Sequence, residues 1–128
     1  HLLDHLFADE NASILELIKL FADHDCNMMP VLSKDQMYRG YFELSDILDV
    51  FSNSPFLHVN GIEIVAEKPK KEFSTSEVAQ IVESNNAKLL GLYISYETSD
   101  VTQVTVKVSS ERNHTNLQKI QLQYHFTI

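Results

Sequence analysis

The stretch from Asn27 to Asp46 constrains the fold most. Met28-Met29-Pro30-Val31-Leu32 is a short apolar run that reads as a strand, and Ser33-Lys34-Asp35-Gln36 follows as a polar turn. Tyr38-Arg39-Gly40-Tyr41-Phe42 is a second strand, and Glu43-Leu44-Ser45-Asp46 leads into a helix that starts beside an acidic residue. The pattern predicts a hairpin closed with Gly40 and a small concave site next to strand backbone, suited to binding a sugar hydroxyl rather than to chemistry.

Around this stretch the chain is globular in composition. Its 128 residues, 44% of them hydrophobic, can bury one moderate core or two small ones. Eighteen acidic against ten basic residues give a formal charge of -8, which offers no general attraction for nucleic acid or for an anionic membrane. The single Cys26 cannot form a disulfide within the chain, and beside an apolar strand it reads as a buried, reduced thiol, which fits a cytoplasmic setting. No apolar window is long enough to cross a bilayer, and His1-Leu2-Leu3-Asp4 lacks the basic start of a signal peptide. Without an initiator Met, the chain reads as a piece of a longer one.

Before the hairpin, Leu6 and Phe7 suggest a leading strand, and Ser13-Ile14-Leu15-Glu16 fits a capping box. Ile14, Leu17, Ile18 and Phe21 then recur at helical spacing, so a helix ending near Asp25 has one face to bury. After the hairpin, Ser45 is expected to cap a helix carrying Ile47, Leu48, Val50 and Phe51. Ser52-Asn53-Ser54-Pro55 stops it and marks a domain boundary, placed after residue 57.

This pattern resembles a cystathionine beta-synthase (CBS) motif, in which a Pro-Val strand, a polar turn and a Gly-led strand precede a helix that starts at Asp. Pro30-Val31 and Gly40-Tyr41-Phe42-Glu43-Leu44-Ser45-Asp46 fill those places. The resemblance implies an adenine nucleotide effector, with Asp46 on its ribose and Met29, Pro30, Val31, Tyr41 and Phe42 around its base. Glu43 stands where the family usually carries Thr or Ser at the phosphate, and a carboxylate repels phosphate at close range. CBS motifs work in pairs, so a single copy is expected to expose an apolar face to a second copy.

Beyond the boundary, Ile62, Ile64 and Ala66 alternate with Glu63, Val65 and Glu67 as a half-buried strand, and Lys68 to Glu72 reads as a charged loop. Ser74 and Glu77 form a second capping box with Phe73 placed to staple onto Val78; the helix starts at Thr75, buries Val78, Ala79, Ile81 and Val82, and ends at Asn85-Asn86. Lys88 to Tyr96 and Val101 to Ser109 are strands joined by Glu97-Thr98-Ser99-Asp100. Val104, Val106 and Val108 share one face, which calls for an antiparallel sheet covered on one side. A short helix over Asn116 to Lys119 and a closing strand through Leu122, Tyr124, Phe126 and Ile128 complete the order strand, helix, strand, strand, helix, strand.

That order resembles an ACT domain, a regulatory module that often binds amino acids and pairs sheet to sheet. Of the usual effector loop, Glu67-Lys68-Pro69-Lys70-Lys71 keeps only the Pro, so the domain reads chiefly as a dimerisation sheet. A CBS unit ahead of an ACT-like unit is similar to bacterial acetoin-utilisation-like CBS proteins, and the run Glu77 to Asn85 is worded like theirs. The expected fold is therefore α+β, with one CBS motif (βαββα) over residues 1–57 and an ACT-like, ferredoxin-like βαββαβ domain with an antiparallel sheet over residues 58–128.

The expected function is regulatory sensing of an adenine nucleotide by a homodimer, with no cofactor. A ligand-free dimeric scaffold or an amino-acid sensor are the alternatives. No Ser-His-Asp or Cys-His order, paired-carboxylate spacing or Gly-rich phosphate loop points to an enzyme. His1 and His5 are spaced for one helix face, but with no third ligand at a telling distance they read as solvated rather than metal-bound.

Overall fold

The computed structural model describes residues 6–109. They divide into two compact units, the break falling between Ser54 and Pro55.

The first unit contains β1 (Ala8–Asp9), α1 (Ile14–His24), β2 (Met28–Leu32), β3 (Tyr38–Glu43) and α2 (Leu44–Ser52). The leading strand lies at Ala8–Asp9, two residues later than expected, because it takes its register from β2: Ala8 pairs with Val31 and Asp9 with Leu32, in parallel. The sheet order is β1-β2-β3, with β2 and β3 antiparallel.

Helix α1 starts where its sequence directs. Ser13 is extended, and its hydroxyl accepts from the Glu16 amide at 3.2 Å. At the other end Asp25 turns left-handed, with φ 48°, and the Cys26 amide donates to the Phe21 carbonyl. Leu17 and Phe21 are buried, and Ile14 and Ile18 pack at the margin. They meet Ala8 of β1, Met29 of β2 and Ile47 of α2 in one small core, with Phe42 and Leu44 against it. Cys26 is half-buried at the edge of that core, rather than buried as expected.

Two local expectations are corrected. Gly40 does not close the hairpin; the turn is made by Ser33, whose carbonyl accepts from Gln36 and whose amide donates to Met37. Gly40 sits inside β3 with φ 129°, at a bulge where Val31 pairs with Gly40 but Leu32 with Tyr38, leaving Arg39 as the extra residue. A Cβ there would meet nothing within 4 Å, so it is backbone conformation and not space that calls for glycine. Nor does Ser45 cap α2. The helix follows β3 directly, Glu43 is its N-cap without a side-chain cap hydrogen bond, and Ser45 lies in the first turn. Of the four apolar residues expected on this helix, Ile47 is buried, Phe51 half-buried, and Leu48 and Val50 are exposed.

The second unit contains α3 (Pro55–His58), β4 (Ile62–Pro69), α4 (Thr75–Ser84), β5 (Lys88–Glu97) and β6 (Val101–Ser109). A boundary after residue 57 would cut α3, whose first position holds Pro55, where a missing amide costs nothing. Strand β4 runs on to Pro69, through the start of the expected charged loop, because its pairing with β6 extends to Pro69 opposite Val101.

The sheet order is β4-β6-β5, and both outer strands are antiparallel to β6. β4 and β5 therefore run parallel, with α4 as their crossover. Ser74 caps α4, accepting from the Glu77 amide at 3.4 Å. Asn86 turns left-handed at its end, and the Ala87 and Asn86 amides donate to the Val82 and Glu83 carbonyls, a Schellman closure. Val78 and Val82 press on Ile64, Ala66, Val104, Val106 and Val108, all completely or almost completely buried.

On the opposite face, the Thr105 hydroxyl and the Gln103 amide group both donate to Ser95 Oγ, at 2.8 and 3.0 Å. Lys107 Nζ donates to the Leu57 carbonyl of α3 at 3.2 Å. The expected second helix and closing strand of this domain lie outside the described residues, as do His1, His5, His114 and His125. What stands is an α+β chain with antiparallel pairing in both sheets, not a demonstrated ferredoxin-like plan.

Candidate functional site

The site is assembled where β2 begins and β3 ends. Register sets Met28 against Glu43, Met29 against Phe42 and Pro30 against Tyr41. The Leu44 amide then donates to the Asn27 carbonyl at 2.8 Å, tying the start of α2 to the residue before β2. With no linker between β3 and α2, the first turn of the helix is fixed beside the strand ends. An open hollow of about 440 Å³ lies at this corner, lined by Asn27, Met28, Glu43, Leu44, Ser45 and Leu48.

The proline-bearing and glycine-bearing strands do lie side by side. The six residues expected to hold a ligand are nonetheless divided among three places. Met29 and Phe42 face one another on the core side, and Met29 has no exposed surface. Val31 is also buried. Pro30 and Tyr41 are paired on the opposite sheet face, where Tyr41 is 54% exposed. Asp46 is exposed in the first turn of α2. The hollow is lined by the chain neighbours of these six rather than by the six themselves.

Two signals for the missed lining residues were legible. Leu44 and Leu48 are four apart and share one helix face. Asn27 and Met28 follow from the strand register, because residues opposite Glu43 and Leu44 must lie at the same end of the hairpin.

Electrostatically the hollow is simple. Glu43 is the one ionisable residue among its lining, and Asn27 and Ser45 supply neutral polar groups beside the apolar Met28, Leu44 and Leu48. The Lys and Arg residues of the described first unit are elsewhere. Lys19 Nζ holds Asp23 at 2.8 Å on the outside of α1, an exposed contact whose hydrogen bond raises the Lys19 pKa and lowers that of Asp23. Lys34 lies in the hairpin turn, and Arg39 sits 3.7 Å from Glu10.

Among the described residues no three His, Cys, Asp or Glu side chains converge on a possible metal position, and no helix is long and apolar enough to cross a membrane.

The first unit is thus an α+β unit with a hollow at a strand-to-helix corner. Residues 4–53 match the model of the CBS domain, so this part of the chain is a CBS domain. CBS domains are non-catalytic, commonly serve regulatory roles and often bind adenine nucleotides. No curated protein matches the chain.

Proposed function

We propose that the chain is a regulatory sensor that binds an adenine-based ligand, of the adenine nucleotide class, at the corner hollow of its CBS domain and works as a cytoplasmic homodimer. The observation that supports this most directly is the hollow lined by Met28, Glu43, Ser45 and Leu48 inside residues 4–53. Its volume is in the range that encloses a small organic ligand. In this reading Pro30 and Tyr41 border the base, Asp46 approaches the ribose, and Met29, Val31 and Phe42 hold the strands in place from the core side. Binding acts by stabilising one arrangement of paired domains over another. It requires no resident cofactor and no reaction.

The β-α-β-β run from Ile62 supports an ACT-like role for residues 58–128, of the kind found in acetoin-utilisation-like bacterial proteins, as the dimerising part.

Calorimetric titration of the intact protein with adenosine, AMP, ADP and ATP tests the sensor. Saturable heat from at least one of them, weakened in Asp46→Ala, is the expected result. The absence of heat from all four ends the proposal.

A second reading, a ligand-free scaffold, is favoured by the exposed sheet face of the CBS unit, where Met28, Tyr38 and Tyr41 are each more than half exposed. Light scattering separates the two: a scaffold keeps one size with and without ligand, whereas the sensor changes its size or shape.

A further inference from the structure

Glu43 is the one charged residue that lines the corner hollow, and Asp46, next to Ser45 in the first turn of α2, adds a second carboxylate nearby. We propose that the site selects the unphosphorylated, neutral or cationic form of its ligand, a nucleoside-sized ring compound with hydroxyl or amine donors, and discriminates against its phosphate esters. This rests on the proposed function for the site and the adenine ring, and narrows its ligand from the nucleotides to the unphosphorylated nucleoside.

The lining gives the reasons. Met28, Leu44 and Leu48 offer apolar surface for a ring, Asn27 and Ser45 offer neutral hydrogen-bonding groups, and Glu43 offers a carboxylate that only accepts. A ribose hydroxyl or an amine donating to Glu43 makes a charge-assisted hydrogen bond. A phosphate in the same hollow carries nearly two negative charges. At about 5 Å from a carboxylate, even in a water-like dielectric, that repulsion weakens binding by a factor of about ten.

Among the described residues of the first unit, no cation lines the hollow. Lys19 is held by Asp23, and Lys34 and Arg39 belong to the other end of the hairpin. Arg39 lies four strand residues from Glu43, a span of about 13 Å. The start of α2 would by itself favour an anion, but Asp46 already occupies its first turn.

The test is titration of the intact protein at low ionic strength with adenosine, AMP and ATP, on wild type, Glu43→Gln and Glu43→Thr. Adenosine is expected to bind at least about tenfold more tightly than AMP, with ATP weaker than AMP. The gap should narrow in added salt and in both variants, which remove the charge and keep a polar side chain. Circular dichroism verifies that each variant is folded, and a preserved gap in one folded variant suffices to remove Glu43 as the cause. AMP binding as tightly as adenosine, or more tightly, overturns the selectivity and leaves the sensor standing. Failure of adenosine, AMP and ATP overturns this inference, and failure of ADP as well overturns the sensor with it.

Discussion

The two units use the same helix-on-sheet logic to different ends. In the second unit α4 and the strands close a core of eight buried residues, six of them completely buried and four of those six valines on β6 and α4. In the CBS unit the buried cluster has five members, and the far face of its sheet carries Met28, Tyr38 and Tyr41 largely in the open. Both sheets leave large side chains in the open, since Tyr93, Ile94 and Tyr96 of β5 are each half or more exposed. What differs is the size of the buried cluster and the hollow beside the strand ends of the first unit.

The same contrast appears in two glycines. Gly40 has open space around it but a φ of 129°, whereas at Gly91 an added Cβ would lie 2.3 Å from the Phe56 ring of α3. The first is fixed by backbone conformation at a bulge, the second by the close approach of a neighbour.

Truncating each core breaks or sharpens this comparison most. Ile64→Ala and Met29→Ala should each cost about 2–5 kcal/mol, with Ile64 toward the upper end because it sits in the larger buried cluster, which has less freedom to collapse. Hydrogen exchange read residue by residue should show faster opening over 55–109 for Ile64→Ala and over 6–54 for Met29→Ala. An equal rise along the whole chain in both variants would mean that the two cores are not separate.

Next come the glycines. Gly40→Ala and Gly91→Ala should each destabilise by about 1–3 kcal/mol, for different reasons. Adding Phe56→Ala should return part of the loss at Gly91, because the clash is with that ring, and none of it at Gly40. Equal rescue at both positions, measured by urea denaturation, would remove the distinction.

How much of this was legible depended on how local the cause was. Both capped helices were readable because Ser13 with Glu16 and Ser74 with Glu77 act over one turn. Strand β6 was readable because Val104, Val106 and Val108 keep an unbroken period of two. Strand β5 conceals its faces, since bulges at Leu90 and Ser95 shift its phase twice against β6. Ser45 looked like a cap, but β3 pairs up to Glu43 and passes straight into α2, which leaves Ser45 inside the helix.

The site was half legible for a similar reason. Its elements and their order followed from Pro30-Val31 and Gly40 to Asp46, but strand alternation sends Met29 and Phe42 inward and Pro30 and Tyr41 outward. The corner itself is lined by Asn27, Met28 and Leu48, which only the register and the helix face bring together.

The caps give a smaller effect. Ser74→Ala and Ser13→Ala each remove an acceptor for one first-turn amide and should cost about 0.5–2 kcal/mol. Each loss should appear in the exchange of its own helix alone.

Smallest of all is the Lys19–Asp23 pair, one turn apart on the solvent side of α1. Its hydrogen bond lowers the Asp23 pKa, so whatever it contributes is present above the ordinary carboxylate pKa and is lost as acid protonates Asp23. The raised Lys19 pKa works at the other end, its contribution fading as pH climbs past the ordinary lysine range. Both side chains are more than half exposed, so water and salt screen the pair, and ordering two flexible chains offsets what remains. Lys19→Ala should leave the melting temperature at neutral pH within the scatter of replicate scans, with a small loss at most in low salt. A clear drop that persists in high salt would mean that α1 depends on its outer face, and that the CBS unit is held by more than the core formed by Leu17, Phe21, Met29 and Ile47.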